Sequence, residues 1–450
     1  MKTVVVGSGG REHAIAWALA KSPLITEVIC VPGNGGTAAE PKCRNIDIPV
    51  SDSIAIVNAC RAELSGGGDF AVIGPEDPLA AGLSDRIAGA GIRVVGPRRE
   101  PAALEASKDV AKRFMAKYGV ACAKSETFAN ADDAIAALRN GTGPVVVKAD
   151  GLAAGKGVVV APDRATAEAA VRSFMIDGSL GGAGRQVVLE EYLEGDEISI
   201  LAAVSVTPEL AASGKARIVP FVTARDHKRL RDGATGPNTG GMGAIAPVPG
   251  LDESTLDRFR SEILEPTLAG LVGEKYDYRG FIFFGLMLTA SGPRLLEYNV
   301  RLGDPETQAV LPLMDFDFAR MCEAIIDGTL ADFPFAWNGG YCCAPVAVSG
   351  GYPGEYRKGV PLTIDVSRAE KAGAKVFVAG AKMDRRAPKG GNSGVGLVTA
   401  GGRVLAASAR GATLEEARER AYLALDACFF DGMFFRRDIG MPGAAASPAL

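Results

Sequence analysis

The chain lacks long apolar runs and any block of like charges. The apolar run in the N-terminal stretch MKTVVVGSGG is too short for a signal-peptide core, and no later run approaches the roughly 18 apolar residues of a membrane-spanning helix. The 49 basic and 53 acidic residues give a formal charge of -4 and form no patch for nucleic acid or acidic lipid. These absences predict a cytoplasmic protein with no nucleic-acid and no membrane partner.

Cysteine and histidine are too few or too scattered to suggest a disulfide framework or a zinc site. The eight cysteines include no C-x-x-C pair, and the adjacent Cys342 and Cys343 lie among strand-like residues, so we expect reduced core thiols. The two histidines, His13 and His227, both fall in glycine-rich polar segments. We expect them to hydrogen-bond substrate oxygens, with proton transfer as the alternative.

The chain is too long for one ordinary core, and its patterns predict a multidomain protein of α/β and α+β type. Residues 1–103 alternate strand-like runs with helical patterns, which predicts a Rossmann-like α/β domain with a parallel sheet. Its first loop, GSGG at 7–10, has Glu12 where the dinucleotide fingerprint needs a third glycine, so that fingerprint fails. A phosphate at the following helix N-terminus is expected, and a tight turn that needs positive φ is the alternative.

The rest of the chain divides by pattern into two further domains. Residues 104–330 mix helical and strand patterns, which predicts an α+β domain, and 123–192 within it form a mobile lid subdomain around the glycine-rich loop. Residues 331–440 predict a small α+β C-terminal domain. The tail at 441–450 is expected to be disordered.

The segment VVVKADGLAAGKGVVV at 145–160 places a glycine-rich loop between two strand-like runs. A Walker A loop would need a hydroxyl after its lysine and then a helix, whereas Gly157 and three valines follow Lys156. We therefore expect a β-hairpin whose tip, with Gly151, Gly155, Lys156 and Gly157, folds over a triphosphate while Lys148 reaches out from the strand. The alternative is a glycine-rich hairpin without a ligand.

The segment LLEYNVRLGDPETQ predicts a metal site. Glu297 and Asn299 lie two residues apart on a strand, so their side chains share one face. Magnesium prefers a few protein oxygens completed by water and nucleotide phosphate. Arg301 continues the same face, and the flanking apolar residues argue for a buried edge rather than a charged surface strand.

Two further segments carry weaker signals. In VVLEEYLEGDEIS, a strand edge near Glu190 and Leu193 could bond an adenine through its backbone, and a carboxylate such as Glu197 could hold ribose hydroxyls, although acidic residues are common at strand ends. In ARDHKRLRDGATGPNTGGMGAIAPVP, Asp226 and Lys228 precede a loop with few apolar anchors. Such a loop needs partners for its backbone groups, which favours a ligand-organised loop over an inert linker.

A series of motifs runs through nearly the whole chain: GSGGREHA, GPEDPL, SKDVAKRF, VVKADGLAAGKGV, LEEYLEGDE, DHKRLRDGATGPNTGGMGA, LEYNVRLGDPETQ, GGYPGEYRKG and RRDIG. Together they resemble the phosphoribosylamine–glycine ligase family of the ATP-grasp superfamily. The resemblance implies an ATP-grasp core that uses ATP with Mg²⁺ or Mn²⁺. It also implies a ligase of purine biosynthesis that joins glycine to 5-phosphoribosylamine through glycyl phosphate.

Carried over residue by residue, the resemblance implies three groups of contacts. Lys108 and Lys148 would contact phosphates, Glu190 and Leu193 the adenine, and Glu197 the ribose. Phosphoribosylamine would face Gly9, Gly10, Arg11, Glu12, His13, Pro75 and Glu76. Glycine, acyl phosphate or phosphoribosyl groups would be held by Asp226, Lys228, Asn238, Gly240, Arg301 and Asp304, in a division that stays open.

Within this set we expect Lys148, Arg301 and Asp226 to act in catalysis and Glu297 and Asn299 to hold the metal. A monomer or a weak homodimer is expected. One rival is a carboxylating ATP-grasp enzyme of the biotin carboxylase type, but such enzymes continue N-x-R into Q-V-E-H, whereas this chain continues into GDPETQ. A non-catalytic nucleotide-binding regulator is the other rival, and the intact Lys148, Glu297, Asn299 and Arg301 argue against it.

Overall fold

The structure is a computed structural model, and it describes residues 1–141, 143–153, 156–384 and 396–444. Within those ranges, no helix combines the length and the apolar character needed to cross a membrane. All eight cysteines are free, and six of them are buried.

The N-terminal segment forms a parallel sheet covered by helices on both faces. Its strands are β1 (Lys2–Gly7), β2 (Glu27–Pro32), β3 (Cys43–Asn45), β4 (Phe70–Ile73) and β5 (Arg93–Val95), in the order β3-β2-β1-β4-β5. Its helices are α1 (Gly10–Lys21), α2 (Ser53–Glu63), α3 (Glu76–Ala80), α4 (Leu83–Gly89) and α5 (Arg99–Ala106). The consecutive valines of β1 are all buried, as expected for a strand covered on both faces. The predicted Rossmann-like arrangement is confirmed.

The glycine-rich segment belongs to a small four-stranded sheet. Helix α6 (Lys108–Tyr118) leads into β6 (Ser125–Phe128), α7 (Ala131–Asn140), β7 (Val145–Ala149), β8 (Val158–Ala161), α8 (Arg164–Met175) and β9 (Val187–Glu191), with strand order β6-β9-β7-β8. Strands β7 and β8 pair antiparallel from Val145 opposite Ala161 to Lys148 opposite Val158. The predicted hairpin is confirmed, and a strand rather than a helix follows the loop. Its mobility remains a prediction.

The centre of the molecule is an eight-stranded sheet. The chain continues through β10 (Asp196–Val206), α9 (Pro208–Ala212), β11 (Arg217–Asp226), β12 (Arg229–Arg231), β13 (Thr235–Asn238), β14 (Gly243–Ala246), α10 (Glu253–Phe259), a π-helical turn (Arg260–Leu264), α11 (Glu265–Gly273), β15 (Tyr278–Thr289), β16 (Gly292–Asn299), α12 (Glu306–Val310) and α13 (Phe318–Asp327). Strands β12 and β13 form a separate two-stranded ribbon. Short 3-10 helices lie at Thr37–Ala39, Gly181–Arg185, Leu311–Leu313 and Leu330–Asp332.

The C-terminal segment extends this central sheet. It contains β17 (Tyr341–Val348), β18 (Pro361–Ile364), α14 (Val366–Lys371), β19 (Ala374–Val378), β20 (Ala381–Met383), β21 (Leu397–Thr399), β22 (Arg403–Gly411), α15 (Leu414–Leu425) and β23 (Cys428–Phe430). The central order is β16-β15-β10-β11-β14-β17-β22-β19, and a second sheet has the order β20-β21-β18-β23. Because β14 pairs with β17, the sheet continues past the boundary predicted at 330. The domain boundaries remain predictions.

The disorder expected of the tail at 441–450 remains a prediction, and the structure describes the first four residues of that tail. Residues 441–444 form a turn, and the carbonyl of Ala444 accepts a 2.6 Å hydrogen bond from Nη2 of Arg436. This bond to a fully buried guanidinium orders a segment whose composition alone indicates disorder. The rest of the tail, 445–450, lies outside the described residues.

Candidate active site

A buried carboxylate between two lysines marks the inner end of the glycine-rich hairpin. Glu190 on β9 is 3% exposed, and its two oxygens lie 2.9 Å from Nζ of Lys148 on β7 and 3.3 Å from Nζ of Lys112 on α6. Strand β9 lies beside β7, which brings the carboxylate and Lys148 together. Glu190 is thus held by cations, and the adenine contact expected for it remains a prediction. Two buried ammonium groups around one carboxylate leave net positive charge, which suits a phosphate chain.

The rest of the hairpin surrounds this cluster. Nζ of Lys108 donates to the carbonyl of Gly151 at 3.4 Å, which ties α6 to the loop. Gly157 is buried, and its carbonyl accepts from the backbone N–H of Ala149 at 2.7 Å, whereas Lys156 is exposed. The structure therefore leaves the Lys156 ammonium in solvent. Gly155 lies outside the described residues.

The strand predicted to hold a metal lies directly against the hairpin. Nζ of Lys148 donates to the carbonyl of Leu296 at 3.2 Å, next to Glu297 on β16. Glu297 and Asn299 are half-buried and flank Tyr298, which is buried on the other face of the strand. The predicted shared face of Glu297 and Asn299 is confirmed.

Charge around Glu297 keeps it ionised. Burial favours the neutral acid, but the cations of Lys228, Lys148, Lys108 and Arg301 hold the pKa of Glu297 below its usual range. No group of three or more histidine, cysteine or carboxylate side chains in the described ranges could hold a metal by itself. An ionised carboxylate and one amide oxygen fit a hard cation that nucleotide phosphate completes, as the sequence predicts.

Arg301 connects the metal strand to the N-terminal domain. Its Nη2 donates to Oδ1 of Asn299 at 3.2 Å and lies 3.0 Å from Oε1 of Glu105, and its Nε lies 3.3 Å from Oε2 of Glu76. Oε2 of Glu105 also accepts the backbone N–H of Val300 at 2.6 Å. Burial raises the pKa of Glu105 to about 7, although Arg301 opposes that shift.

The end of β11 and the polar loop after it contribute a half-buried carboxylate, Asp226, and a half-buried lysine, Lys228. Lys228 pairs with Glu197, which leaves that carboxylate engaged, and the ribose contact expected of Glu197 remains a prediction. Burial and the nearby Glu306 hold the pKa of Asp226 well above its usual range. Oδ1 of Asp226 is buried without a hydrogen-bond partner among the described residues. Such an atom is costly to bury, so it marks a place for a ligand donor.

Two neighbouring segments cover this carboxylate. Gly241 has φ +113°, and a Cβ there would lie 2.6 Å from Oδ1 of Asp226, so only glycine lets the loop pass so close. Arg403 on β22 donates to the carbonyl of Gly240, donates to that of Asp304 at 2.6 Å, and lies 3.4 Å from Oδ2 of Asp304. The C-terminal segment therefore supplies a cation to the predicted substrate loop.

The glycine-rich turn before α1 is closed by its own glutamate. Oε2 of Glu12 accepts the N–H of Gly9 at 2.6 Å, and Gly7 has φ +127° with a hypothetical Cβ 2.4 Å from Cγ of Glu12. Both the tight turn and a carboxylate-capped helix start are present. Arg11 pairs with Glu12, donates to the carbonyl of Leu302 at 3.1 Å and lies 3.7 Å from Glu76. Arg11 and Glu76 thus lie next to Arg301, and the contacts with phosphoribosylamine expected of Arg11 and Glu76 remain predictions.

Both histidines have protein partners in the structure, and the substrate contacts expected of them remain predictions. Nδ1 of His13 accepts the N–H of Val378 at 2.8 Å, and its Nε2 lies 3.1 Å from Oε2 of Glu40. Nε2 of His227 accepts the N–H of Gly440 at 3.1 Å, and its Nδ1 lies 3.1 Å from the carbonyl of Gly243. Each imidazole is 1% exposed with both nitrogens engaged.

The remaining predicted contacts differ in exposure. Asn238 and Gly240 are exposed on the loop, Leu193 is half-buried between β9 and β10, and Gly10 begins α1. Pro75 precedes α3, so it accompanies Glu76 toward the Arg11 and Arg301 cluster. Their substrate contacts remain predictions.

Four charged residues of the site were not predicted from the sequence as site residues: Lys112, Glu105, Glu306 and Arg403. Lys112 could have been found, because it lies one helical turn after Lys108 on α6. Glu306 is buried at the start of α12 and accepts from the hydroxyl of Ser199 at 3.2 Å. Glu105 and Arg403 have no local signature, because they reach the site through contacts that are distant in sequence.

Comparison with known proteins identifies the family. Family models described as phosphoribosylglycinamide synthetase N domain, ATP-grasp (A) domain and C domain match residues 1–105, 106–307 and 342–442. A phosphoribosylamine–glycine ligase from Clostridium acetobutylicum is 46% identical over 98% of this chain and 99% of its own, and one from Allochromatium vinosum is 44% identical over 98% of each.

Solved structures show the same architecture. The phosphoribosylamine–glycine ligase of Thermotoga maritima is 33% identical, with a TM-score of 0.79 over 98% of this chain and 100% of that one. The biotin carboxylase domain of Hydrogenobacter thermophilus 2-oxoglutarate carboxylase, at 15% identity and a TM-score of 0.67 over 96% of this chain and 91% of that one, shares the fold alone. The predicted order of N-terminal, ATP-grasp and C-terminal domains is confirmed, and the chain belongs to the phosphoribosylglycinamide synthetase family.

Proposed function

We propose that this chain joins glycine to 5-phosphoribosylamine with ATP, giving glycinamide ribonucleotide, ADP and phosphate in purine biosynthesis. The observation that carries the proposal is the convergence of four cations on Glu297: Lys148 of the hairpin, Lys108 of α6, Arg301, and Lys228 of the polar loop. Family membership and relatives named phosphoribosylamine–glycine ligase along nearly the whole chain support it.

The nucleotide would lie under the hairpin. Lys148 and Lys112, which share Glu190, would meet the phosphates from one side, and Lys108 with the glycines of the loop would meet them from the other. Phosphoryl transfer depends mostly on positioning and on neutralising charge, so these cations can serve without a protein nucleophile. Leu193 would border the adenine, and Glu197 would border the ribose.

Glu297 and Asn299 would hold Mg²⁺ or Mn²⁺ together with the nucleotide. When bound, the cation neutralises phosphate charge. Arg301 donates to Asn299 and so orients the amide that would serve as a ligand. Its own contacts with Glu76 and Glu105 fix the guanidinium in place.

The chemistry proceeds in two displacements. A glycine carboxylate oxygen bonds to the γ-phosphorus while the bond to ADP breaks, which gives glycyl phosphate. The amine nitrogen of phosphoribosylamine then bonds to the carbonyl carbon, phosphate leaves, and the nitrogen gives up one proton. The unpartnered Oδ1 of Asp226 suits the ammonium group of glycine, while Lys148 and Arg301 neutralise the transferred group. Water must be excluded from the acyl phosphate, which a closed hairpin would achieve.

Phosphoribosylamine would lie at the N-terminal domain. Arg11 and Glu76 adjoin Arg301, so a ligand on the first loop of that domain can reach the acyl carbon. Gly9, Gly10 and Asp304 border this region, and Arg403 beside Asp304 supplies positive charge. We further propose a cytoplasmic enzyme that is a monomer or a weak homodimer.

A test of substrate identity compares glycine with bicarbonate. Purified protein with ATP and magnesium should release ADP in proportion to glycine when phosphoribosylamine is present, and bicarbonate should not replace glycine. ADP release that depends on bicarbonate and ignores glycine would assign the chain to the carboxylating enzymes. Nucleotide binding without glycine-dependent release would instead indicate a regulator.

A further inference from the structure

A cavity of about 520 Å³ lies on the opposite side of the central sheet from the candidate active site. Arg225 and Asp226 are consecutive on β11, so their side chains leave opposite faces of the sheet. Asp226 faces Glu306 and Lys228, whereas Arg225 lines the cavity with Ile245, its partner across the β11 and β14 pair. The cavity therefore lies on the face of β11 that points away from Asp226, although Arg225 and His227 belong to the same polar segment as Asp226.

Two arginines give the cavity positive charge. Nε of Arg225 is buried without a hydrogen-bond partner among the described residues, and its Nη2 is 3.9 Å from the exposed Asp196. Arg418 on α15 also lines the cavity, held by a 2.7 Å bond from its Nε to the carbonyl of Ile439. Two exposed carboxylates oppose them: Glu415, which lines the cavity, and Asp196 beside Arg225. An unsatisfied guanidinium N–H in a charged cavity indicates a missing acceptor.

The other walls of the cavity are mainly apolar. Ile245 forms part of the floor, and Pro249, Leu414, Met441 and Pro442 contribute further surface. The volume falls within the range of about 300–1,000 Å³ that is usual for small-molecule sites, in which apolar walls surround a few polar groups. A free inorganic anion would leave most of this apolar surface unused.

We propose that this cavity binds a phosphomonoester that carries a planar apolar group, the chemical class to which nucleoside monophosphates belong. A phosphate dianion suits two guanidinium groups better than a ligand with a single carboxylate would. Each guanidinium can donate parallel hydrogen bonds to the phosphate oxygens. The planar group lies against the proline and methionine side chains of the rim.

His227 provides a built-in reporter of occupancy. It lines the cavity, and burial together with the charges of Arg436 and Arg225 lowers its pKa to about 4. An anion bound to Arg225 offsets part of the positive charge that acts on His227. The chain has only one other histidine, His13, which lies in a separate contact between the first helix and Val378. Two imidazole signals therefore separate binding at the cavity from a general change in the protein.

The test titrates adenosine 5′-monophosphate into the full chain and follows both imidazoles by ¹H–¹⁵N NMR. Saturating ADP and magnesium are present throughout, so that the nucleotide site is occupied. A saturable shift of His227 with an unchanged His13 is expected. No saturable shift of His227, or equal shifts of both histidines, would overturn the proposal. Inorganic phosphate should bind at least about tenfold more weakly; equal affinity would refute the planar group as part of the ligand.

Two variants with opposite expected effects on the affinity for the monophosphate extend the test. Arg225→Gln should raise the dissociation constant of the monophosphate by about tenfold or more, because it removes a charge-assisted contact. Glu415→Gln should strengthen binding of the monophosphate by about two- to fivefold, because it removes the opposing carboxylate that lines the cavity. The unchanged His13 signal reports that each variant is folded. Equal dissociation constants for Arg225→Gln and the unmodified protein would place the ligand elsewhere.

Discussion

Replacing Glu105 by glutamine should change how the stability of the protein depends on pH. Glu105 ends α5 and is buried, with one oxygen on the N–H of Val300 at 2.6 Å and the other 3.0 Å from Nη2 of Arg301. Burial raises its pKa from an ordinary value of 4.5 to about 7, despite the opposing charge of Arg301. Glutamine keeps the shape but has a single acceptor oxygen, so it can serve the N–H of Val300 or Arg301 but not both, and it does not ionise.

The magnitude follows from the two pKa values. Between pH 4.5 and about 7 the folded state holds the Glu105 proton more tightly than the unfolded state, so stability falls as pH rises. A difference of about 2.5 between the folded and unfolded pKa values changes the free energy of unfolding by about 3 kcal/mol over the full pH range. About 2 kcal/mol of that change falls between pH 5.5 and pH 8. The free energy of unfolding of Glu105→Gln, minus that of the unmodified protein, should therefore rise by about 2 kcal/mol between those two pH values.

Urea unfolding at both pH values measures this difference, and the subtraction removes the contributions of all other titrating groups. Glu100→Gln is the matched control, because Glu100 lies exposed on the same helix. Its pH profile should run parallel to that of the unmodified protein. Parallel profiles for Glu105→Gln as well would show that Glu105 titrates normally, and the reasoning about its burial would be wrong.

Three further substitutions test the site. Glu297→Ala should lower ADP formation by more than about a hundredfold with little change in urea stability, because it removes a half-buried ligand; normal turnover at saturating magnesium would contradict the metal assignment. Lys148→Ala should raise the dissociation constant of ATP by about 10- to 100-fold in a binding titration, and an unchanged constant would argue against phosphate contact. His13→Ala should lower stability by about 2 kcal/mol through Glu40 and Val378, while a rise in KM for phosphoribosylamine above about twofold would support its substrate role.

Features encoded in short segments could be predicted from the sequence. The hairpin at 145–160 follows from valine runs on either side of a glycine loop, and the common face of Glu297 and Asn299 follows from the two-residue period of a strand. Alternating strands and helices in the first hundred residues specify the parallel sheet. Each of these inferences depends on residues that are close in sequence.

Features that depend on distant pairing could not be predicted in the same way. Glu105 accepts a hydrogen bond from Val300, which is 195 positions away in the sequence. Arg403 donates one to Asp304, which is 99 positions away. The pairing of β14 with β17, which joins the C-terminal segment to the central sheet, likewise leaves no local pattern. The protein partners of the two histidines also have no local pattern, because each imidazole accepts a hydrogen bond from the backbone of a remote segment, at Val378 and at Gly440.

We infer that this chain forms an amide between glycine and phosphoribosylamine. The most direct measurement incubates the protein with ATP, magnesium, ¹³C-labelled glycine and freshly prepared phosphoribosylamine, and then identifies the products by mass spectrometry. We expect labelled glycinamide ribonucleotide in equal amount to the ADP released, and none with Glu297→Ala. ADP release without labelled glycinamide ribonucleotide would contradict this inference.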